Sequence, residues 1–137
     1  TLVLGARLWL MPGLRFPVPW TEVGGFAGSH QTPEQDRAIL DREILRLKRS
    51  LEAAAQVRRN RPVRRQIALL HFPPVDFSGA SNEVTRLLGA AGVGVCVFGH
   101  VHNLPTQAVS PVVDGVRYEL TSCDYLDFRL LKIMTPL

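Results

Sequence analysis

The chain has 137 residues, of which 46% are hydrophobic, and its formal net charge is +4 at pH 7. This length and composition indicate a single domain, or part of one, over residues 1–137, with enough apolar side chains for a core. No apolar run approaches the roughly 20 residues that cross a bilayer. The apolar opening segment contains Arg7 and is followed by Pro12-Gly13, unlike a signal peptide. These features exclude a membrane-spanning protein.

Cysteine usage favours a cytoplasmic protein over a secreted one. Cys96 and Cys123 both lie in apolar, strand-like segments and lack the C-x-x-C spacing of a zinc site. Each is therefore predicted to be a small core residue. Such unpaired cysteines are typical of a reducing compartment.

The N-terminal part of the chain predicts two short strands followed by a loop. Strands are predicted at residues 1–4 and 7–11, on either side of Gly5, because both stretches are rich in Leu, Val and Trp. Prolines and glycines dominate residues 12–29 and indicate a loop. Its aromatic anchors are Phe16, Trp20 and Phe26. The chain lacks an initial Met and begins in a strand-like run, so we expect that it has been cut from something longer.

An amphipathic helix is predicted to begin at Pro33. Thr32 is a suitable N-cap, Pro is favoured at the first helical position, and Gln35 completes a capping box. Apolar residues then recur at helical spacing opposite a charged face: Leu40, Ile44, Leu47, Leu51, Ala54 and Ala55. We expect this helix to lie on a sheet. His30, just before the cap, is predicted to be a loop residue rather than a metal ligand.

A cluster of arginines follows this helix around Pro62. Its members are Arg58, Arg59, Arg61, Arg64 and Arg65. One interpretation is a helix C-terminus, whose negative dipole end attracts cations, followed by a solvated loop. The other is a patch that binds phosphate or nucleic acid. No aromatic residue is interleaved for base stacking, so nucleic acid is not the predicted partner.

The central segment predicts a strand–helix–strand crossover. Apolar runs at residues 67–70 and 93–98 are typical of buried strands. Between them, Ser81-Asn82-Glu83-Val84 begins a helix that Gly92 ends. The apolar face of this helix comprises Val84, Leu87, Leu88 and Ala91. Ligands of such sheets gather beyond the carboxyl ends of the strands.

Further strands are predicted after the crossover. They lie at residues 106–110, 112–113, 116–121 and 129–134. Asp114-Gly115 is a tight-turn signal, so the second and third of these form a hairpin. Residues 122–126 are predicted to be a turn.

Three histidines follow the two central strands. His71 ends the first, and His100 and His102 follow the second. In an extended turn alternate side chains point the same way, so the last two can address one cavity. Each alone is typical of a hydrogen-bonded structural residue, but together they favour a metal site, because neutral imidazole is a common metal ligand.

Both histidine-bearing segments resemble the last two metal motifs of the calcineurin-like metallophosphoesterases. They are L-L-H-F-P-P at residues 69–74 and G-H-V-H at residues 99–102. Three further segments are similar to bacterial predicted phosphohydrolases of that superfamily: R-E-I-L-R-L-K-R-S-L in the long helix, T-S-C-D-Y-L-D-F near the end and G-A-R-L-W near the beginning. The resemblance covers nearly the whole chain.

The resemblance implies the C-terminal part of a four-layer α/β/β/α sandwich. It also implies a metal-dependent phosphohydrolase that cleaves phosphate mono- or diesters with two divalent metal ions, of manganese, iron or zinc. His71 and His100 would ligate one ion, and His102 the other. Two such ions roughly 3.5–4 Å apart polarise the phosphoryl oxygens and activate water for in-line attack.

Three motifs of that family do not occur in this sequence. They are the Asp-x-His strand end, the Gly-Asp-x-x-Asp motif with the bridging carboxylate, and Gly-Asn-His-Asp/Glu. The bridging Asp, the Asn ligand and the histidine that assists the leaving group are therefore missing, so no catalytic residue is assigned. We predict the C-terminal half of such an enzyme, with one metal ion or none and with weak activity or none.

Two expectations about partners and function complete the prediction. A half-sandwich exposes a sheet edge and an apolar face, so the chain is expected to pair with a second copy or with a missing N-terminal portion. The alternative function is a non-catalytic metal-binding or assembly module that uses His71, His100 and His102. A third hypothesis is an RNA-binding fragment that uses the arginine cluster.

Overall fold

A five-stranded sheet forms the centre of the structure, a computed structural model that describes residues 1–16, 31–105 and 111–133. The strands are β1 (Leu2–Ala6), β2 (Gln66–Leu70), β3 (Val95–Phe98), β4 (Val112–Val113) and β5 (Val116–Leu120). Their spatial order is β1-β2-β3-β5-β4, and every neighbouring pair is parallel except β4 with β5. Two helices, α1 (Pro33–Asn60) and α2 (Glu83–Ala90), connect the first three strands. The predicted α/β class is confirmed.

Both helices pack on the same face of the sheet. The chain steps from β1 to β2 to β3 in one direction, and right-handed crossovers then place α1 and α2 on one side. Helix and strand side chains meet there in one core, which includes Leu4, Leu47, Ala68, Leu88, Cys96 and Tyr118. The core therefore lies between the two helices and one sheet face.

The opposite face of the sheet is apolar and partly open. Because strand side chains alternate between faces, it carries Val3, Ile67, Leu69, Val95 and Val97. We call these five residues the open face. The side chains of Val3 and Leu69 are 55% and 47% exposed. Parallel sheets are normally covered on both faces, so this surface has the composition of an interior.

Both helices begin where capping residues predict. The Thr32 hydroxyl accepts the N–H of Gln35 at 3.3 Å, and the Gln35 side chain accepts the N–H of Thr32 at 2.9 Å. At the start of α2, the Asn82 side chain accepts the N–H groups of Val84 and Thr85 at 2.9 and 3.1 Å. These side chains satisfy backbone donors that have no partner within the helix.

The predicted pair of strands around Gly5 is wrong, because a single strand, β1, runs through this residue. The Gly5 N–H donates to the Ser50 hydroxyl of α1 at 3.1 Å. Residues 7–11 form no strand, and Leu8 has a φ of +63° that interrupts an extended chain. The carbonyl of Arg7 instead accepts hydrogen bonds from the loop that follows β2.

Residues 129–133 do not form the predicted final strand. Asp127 and Phe128 have φ values of +50° and +54°, which turn the backbone away from the sheet. Leu130 is fully exposed. The predicted strand at residues 106–110 and the last position of the 129–134 prediction lie outside the described residues.

The hairpin at Asp114-Gly115 is confirmed. These two residues connect β4 to β5 with φ values of +49° and +76°, the left-handed conformation that such tight turns require. Within residues 1–16, 31–105 and 111–133, neither helix combines the length and the apolar character needed to cross a membrane.

Substitution of Gly5 tests the β1–β2 pairing. A Cβ at this position would lie 2.1 Å from the carbonyl O of Leu69. We expect Gly5→Ala to lower the free energy of unfolding by about 1–3 kcal/mol, because the backbone of β1 must shift. Urea denaturation measures this. Gly94→Ala is the control, since its Cβ would meet only the Gln66 carbonyl O at 3.8 Å. Equal stability of the two variants would contradict the pairing.

Sedimentation velocity tests the open face. An exposed apolar patch promotes association, so we expect the chain to associate as its concentration rises and Leu69→Lys to reduce this. Leu45→Lys is the matched control, because Leu45 is 48% exposed but lies on α1. A wild-type chain that stays monomeric at every concentration would contradict the prediction.

Candidate metal centre

The predicted site residues lie on the loops that leave the carboxyl ends of the strands. The backbone holds these loops together, since the N–H groups of His71 and Phe72 donate to the carbonyl of Arg7 at 3.1 and 3.0 Å. The N–H of Gly99 donates to the carbonyl of His71 at 3.2 Å, which joins the loop after β3 to the loop after β2.

The structure brings His71 and His100 together. The Nε2 atom of His71 lies 2.9 Å from the Nδ1 atom of His100. Two nitrogens bound to one ion at about 2.0–2.1 Å lie roughly 2.9–3.4 Å apart, for bond angles of about 90–109°. The same separation is that of a hydrogen bond in which one ring carries the proton. The pair is thus arranged for a shared proton or a shared cation.

His100 has a backbone conformation that is unusual for a residue with a side chain. Its φ is +69°, and the N–H of Val101 closes a tight turn by donating to the carbonyl of Gly99 at 2.8 Å. Positive φ values at residues other than glycine are uncommon. Strain of this kind persists where the surrounding structure fixes it, and it is concentrated at functional sites.

Phe72 supports both imidazoles. Its buried ring lies against His100 with a centroid distance of 3.9 Å and meets His71 edge-on at 5.2 Å. On its other side, Trp9 packs against it at 4.7 Å. The position of Phe72 between His71 and two prolines is the signal in the sequence for a residue that is fixed by packing.

His102 lies in the same loop but contacts a different partner. Its Nδ1 atom is 2.7 Å from Oδ1 of Asp124, and the other carboxylate oxygen accepts the N–H of Asn103 at 2.8 Å. Partial burial raises the pKa of the Asp124 carboxyl. The hydrogen bonds from Asn103 and His102 outweigh this effect and hold the pKa below its usual value.

His102 also belongs to a group of potential metal ligands that sequence analysis missed. Ligand atoms of His102, Cys123 and Asp124 all lie within 4.8 Å of one another. His71 and His100 are not in this group, so the structure divides the three histidines between two positions. The sequence shows that Cys123 and Asp124 follow a predicted strand, but only the parallel pairing of β5 with β3 places them at the same edge of the sheet as the histidines.

The prediction of a core role is right for Cys96 and wrong for Cys123. Cys96 is buried in β3, and burial raises the pKa of its thiol. Cys123 is exposed. It lies in a turn, because the N–H of Phe128 donates to its carbonyl at 2.8 Å, so the chain does not extend as a strand there.

The arginine cluster lies away from the histidines. Arg58 and Arg59 occupy the last turn of α1, as the helix-end interpretation predicts. Arg58 donates to the carbonyl of Ala91, at the C-terminal end of α2, at 2.8 Å. Arg64 and Arg65 line a cavity of about 440 Å³ next to the amino ends of β2 and β3. That position is the opposite end of the sheet from the candidate metal centre. His30, Trp20 and Phe26 lie outside the described residues.

Comparison of the chain with protein-family models, curated proteins and solved structures finds no match. Function must therefore be inferred from the site itself and from the motifs that it carries.

Calorimetric titration with zinc tests the His71–His100 pair. We expect His71→Ala and His100→Ala each to weaken binding by more than the roughly 10–100-fold that loss of an outer-shell partner costs. His30→Ala is the control and should bind like the wild type, because His30 is the one of the four histidines that is not a candidate ligand. Unchanged affinity in the first two variants would contradict a shared cation.

Proposed function

We propose that the chain is the C-terminal portion of a calcineurin-like metallophosphoesterase, whose complete form hydrolyses phosphate mono- or diesters. The observation that carries this proposal is the 2.9 Å separation of the ring nitrogens of His71 and His100. These residues belong to the two segments that resemble the metal motifs of that family. His102 follows in the second segment, at a separate position.

The donor set fits the proposed metal ions. Imidazole nitrogen suits manganese, iron and zinc. In this proposal, His71 and His100 would hold one ion and His102 a second. Such ions would supply Lewis-acid chemistry, polarisation of a phosphoryl group and activation of water.

The chain itself orients the imidazole rings of His71 and His100. The hydrogen bond from Gly99 to the carbonyl of His71 fixes the spacing between the two loops. Phe72 restricts both rings, and the buried Pro73 and Pro74 stiffen the loop behind His71. A site whose ligands are fixed before the metal arrives loses less conformational freedom on binding.

The open face supports the proposed four-layer α/β/β/α sandwich. The described sheet has helices on one face only, whereas Val3 and Leu69 on the other face are about half exposed. One helical layer and one sheet thus account for half of such a sandwich. A second sheet would cover the open face, as face-to-face sheet packing does elsewhere. In this proposal, the other half contains the family motifs that this sequence lacks, together with their carboxylates.

A second candidate function is a non-catalytic metal-binding or assembly module. The hydrogen bonds of Asp124 favour this module. Both oxygens of its carboxylate already accept hydrogen bonds from His102 and Asn103, so Asp124 does not replace the missing carboxylate ligand. Imidazoles alone bring no negative charge, and they neutralise two divalent cations poorly. One tightly bound zinc ion per chain without hydrolysis would favour the module over the enzyme.

Hydrolysis of mono- and bis-nitrophenyl phosphate in the presence of manganese tests the proposed function. We expect slow turnover at most from this chain, lost in His100→Ala and retained in Leu45→Lys, because the chain supplies imidazoles without the bridging carboxylate. Turnover equal to that of a complete enzyme would contradict the assignment as a portion. A chain that neither binds a metal ion nor hydrolyses either ester would contradict the family assignment.

A further inference from the structure

Asp124 makes two hydrogen bonds to neighbouring residues of one loop. Oδ1 lies 2.7 Å from Nδ1 of His102, and Oδ2 accepts the backbone N–H of Asn103 at 2.8 Å. An ionised carboxylate can only accept hydrogen bonds. The proton of a neutral His102 ring must therefore lie on Nδ1, which leaves the lone pair of Nε2 available to a ligand.

The backbone around Asp124 is fixed on both sides. The N–H and the hydroxyl of Thr121 both donate to the carbonyl of Phe98, at 2.8 and 3.1 Å, and tie the end of β5 to the end of β3. Beyond Asp124, the N–H of Leu126 donates to the carbonyl of Ser122 at 3.1 Å and closes a turn. The carboxylate is thus held next to the loop that carries His102.

The backbone conformation of Asn103 also depends on Asp124. Its φ is +59°, in the left-handed region, within the loop in which His100 has a φ of +69°. The hydrogen bond from its N–H to Asp124 fixes this conformation. One carboxylate therefore determines both the path of the loop and the orientation of the imidazole.

We propose that Asp124 is a positioning residue that holds His102 as the Nδ1–H tautomer and directs Nε2 to a metal ion. This inference rests on the proposed function and names the group that prepares one of its ligands. Metal-binding histidines commonly donate their second ring N–H to a carboxylate, which fixes the tautomer and raises the basicity of the ligand. No catalytic role for Asp124 is implied.

Asp124→Asn is expected to change the tautomer of His102 while it keeps the hydrogen bond that holds the loop. Only the side-chain oxygen of Asn can accept the N–H of Asn103, so the amide NH₂ must face Nδ1 of His102. That nitrogen then becomes the acceptor, and the proton moves to Nε2, as expected when an orienting Asp is replaced by Asn. The loop keeps its backbone hydrogen bond, while the metal-facing nitrogen is blocked.

The experiment records ¹⁵N shifts of the His102 ring at about pH 8, where imidazole is neutral, together with a zinc titration. We expect the Nδ1–H tautomer in the wild type, the Nε2–H tautomer in Asp124→Asn, and a loss of zinc affinity of about 10–100-fold. Asp127→Asn is the matched control, because Asp127 lies in the same turn and pairs with Arg129 at the surface. It should change neither the tautomer nor the affinity.

The outcomes distinguish this inference from the proposed function. An Nε2–H tautomer in the wild type, or equal affinities of Asp124→Asn and Asp127→Asn, would overturn the inference even if zinc binds. Cys123→Ser should retain zinc affinity, and its loss would show instead that Cys123 is a ligand. The expected tautomers in a chain that binds no metal ion would remove the proposed function and the metal-directing role with it.

Discussion

Parallel pairing of β2 with β3 is the constraint on which the candidate metal centre depends. The register aligns Ile67 with Val95 and brings the carboxyl ends of both strands to one edge. His71 and His100, which are 29 residues apart in the sequence, consequently meet with their ring nitrogens 2.9 Å apart. A slip by one residue would turn the side chains of one strand to the opposite face. The hydrogen bond from Gly99 extends this register into the loops themselves.

The open face and the edge that carries the histidines are separate surfaces of the same sheet. The right-handed crossovers direct both helices to one face and leave the open face apolar, whereas the histidines project from the edge where the strands end. A further layer can therefore cover the open face without covering the metal centre. Because the two surfaces are separate, we expect substitutions to affect association and metal binding independently.

Local signals in the sequence predicted the regular elements well. Thr32 and Asn82 caps, and the Asp114-Gly115 turn, are set by neighbouring residues and occur as predicted. The errors concern long-range contacts and the positive φ values of Leu8, Asp127 and Phe128, which end extended segments. Gly5 lies within a strand because β1 approaches the Leu69 carbonyl closely, which no local pattern reveals.

The candidate site shows the same division between local and long-range information. The predicted histidines lie at the predicted edge, because strand ends can be located from apolar runs. The partnership of His102 with Asp124 could not be predicted, since it depends on where β5 joins the sheet. Cys123 was assigned to the core because an unpaired cysteine is usually a small buried residue, but the turn predicted at residues 122–126 leaves it exposed.

X-ray absorption spectroscopy of the zinc-loaded chain tests the central claim most directly. The predicted spectrum has nitrogen ligands at about 2.0–2.1 Å, with the multiple scattering of imidazole rings. His71→Ala should remove part of that scattering. A first shell dominated by sulfur at about 2.3 Å, or one without imidazole scattering, would contradict a metal centre built from the histidines at the carboxyl ends of β2 and β3.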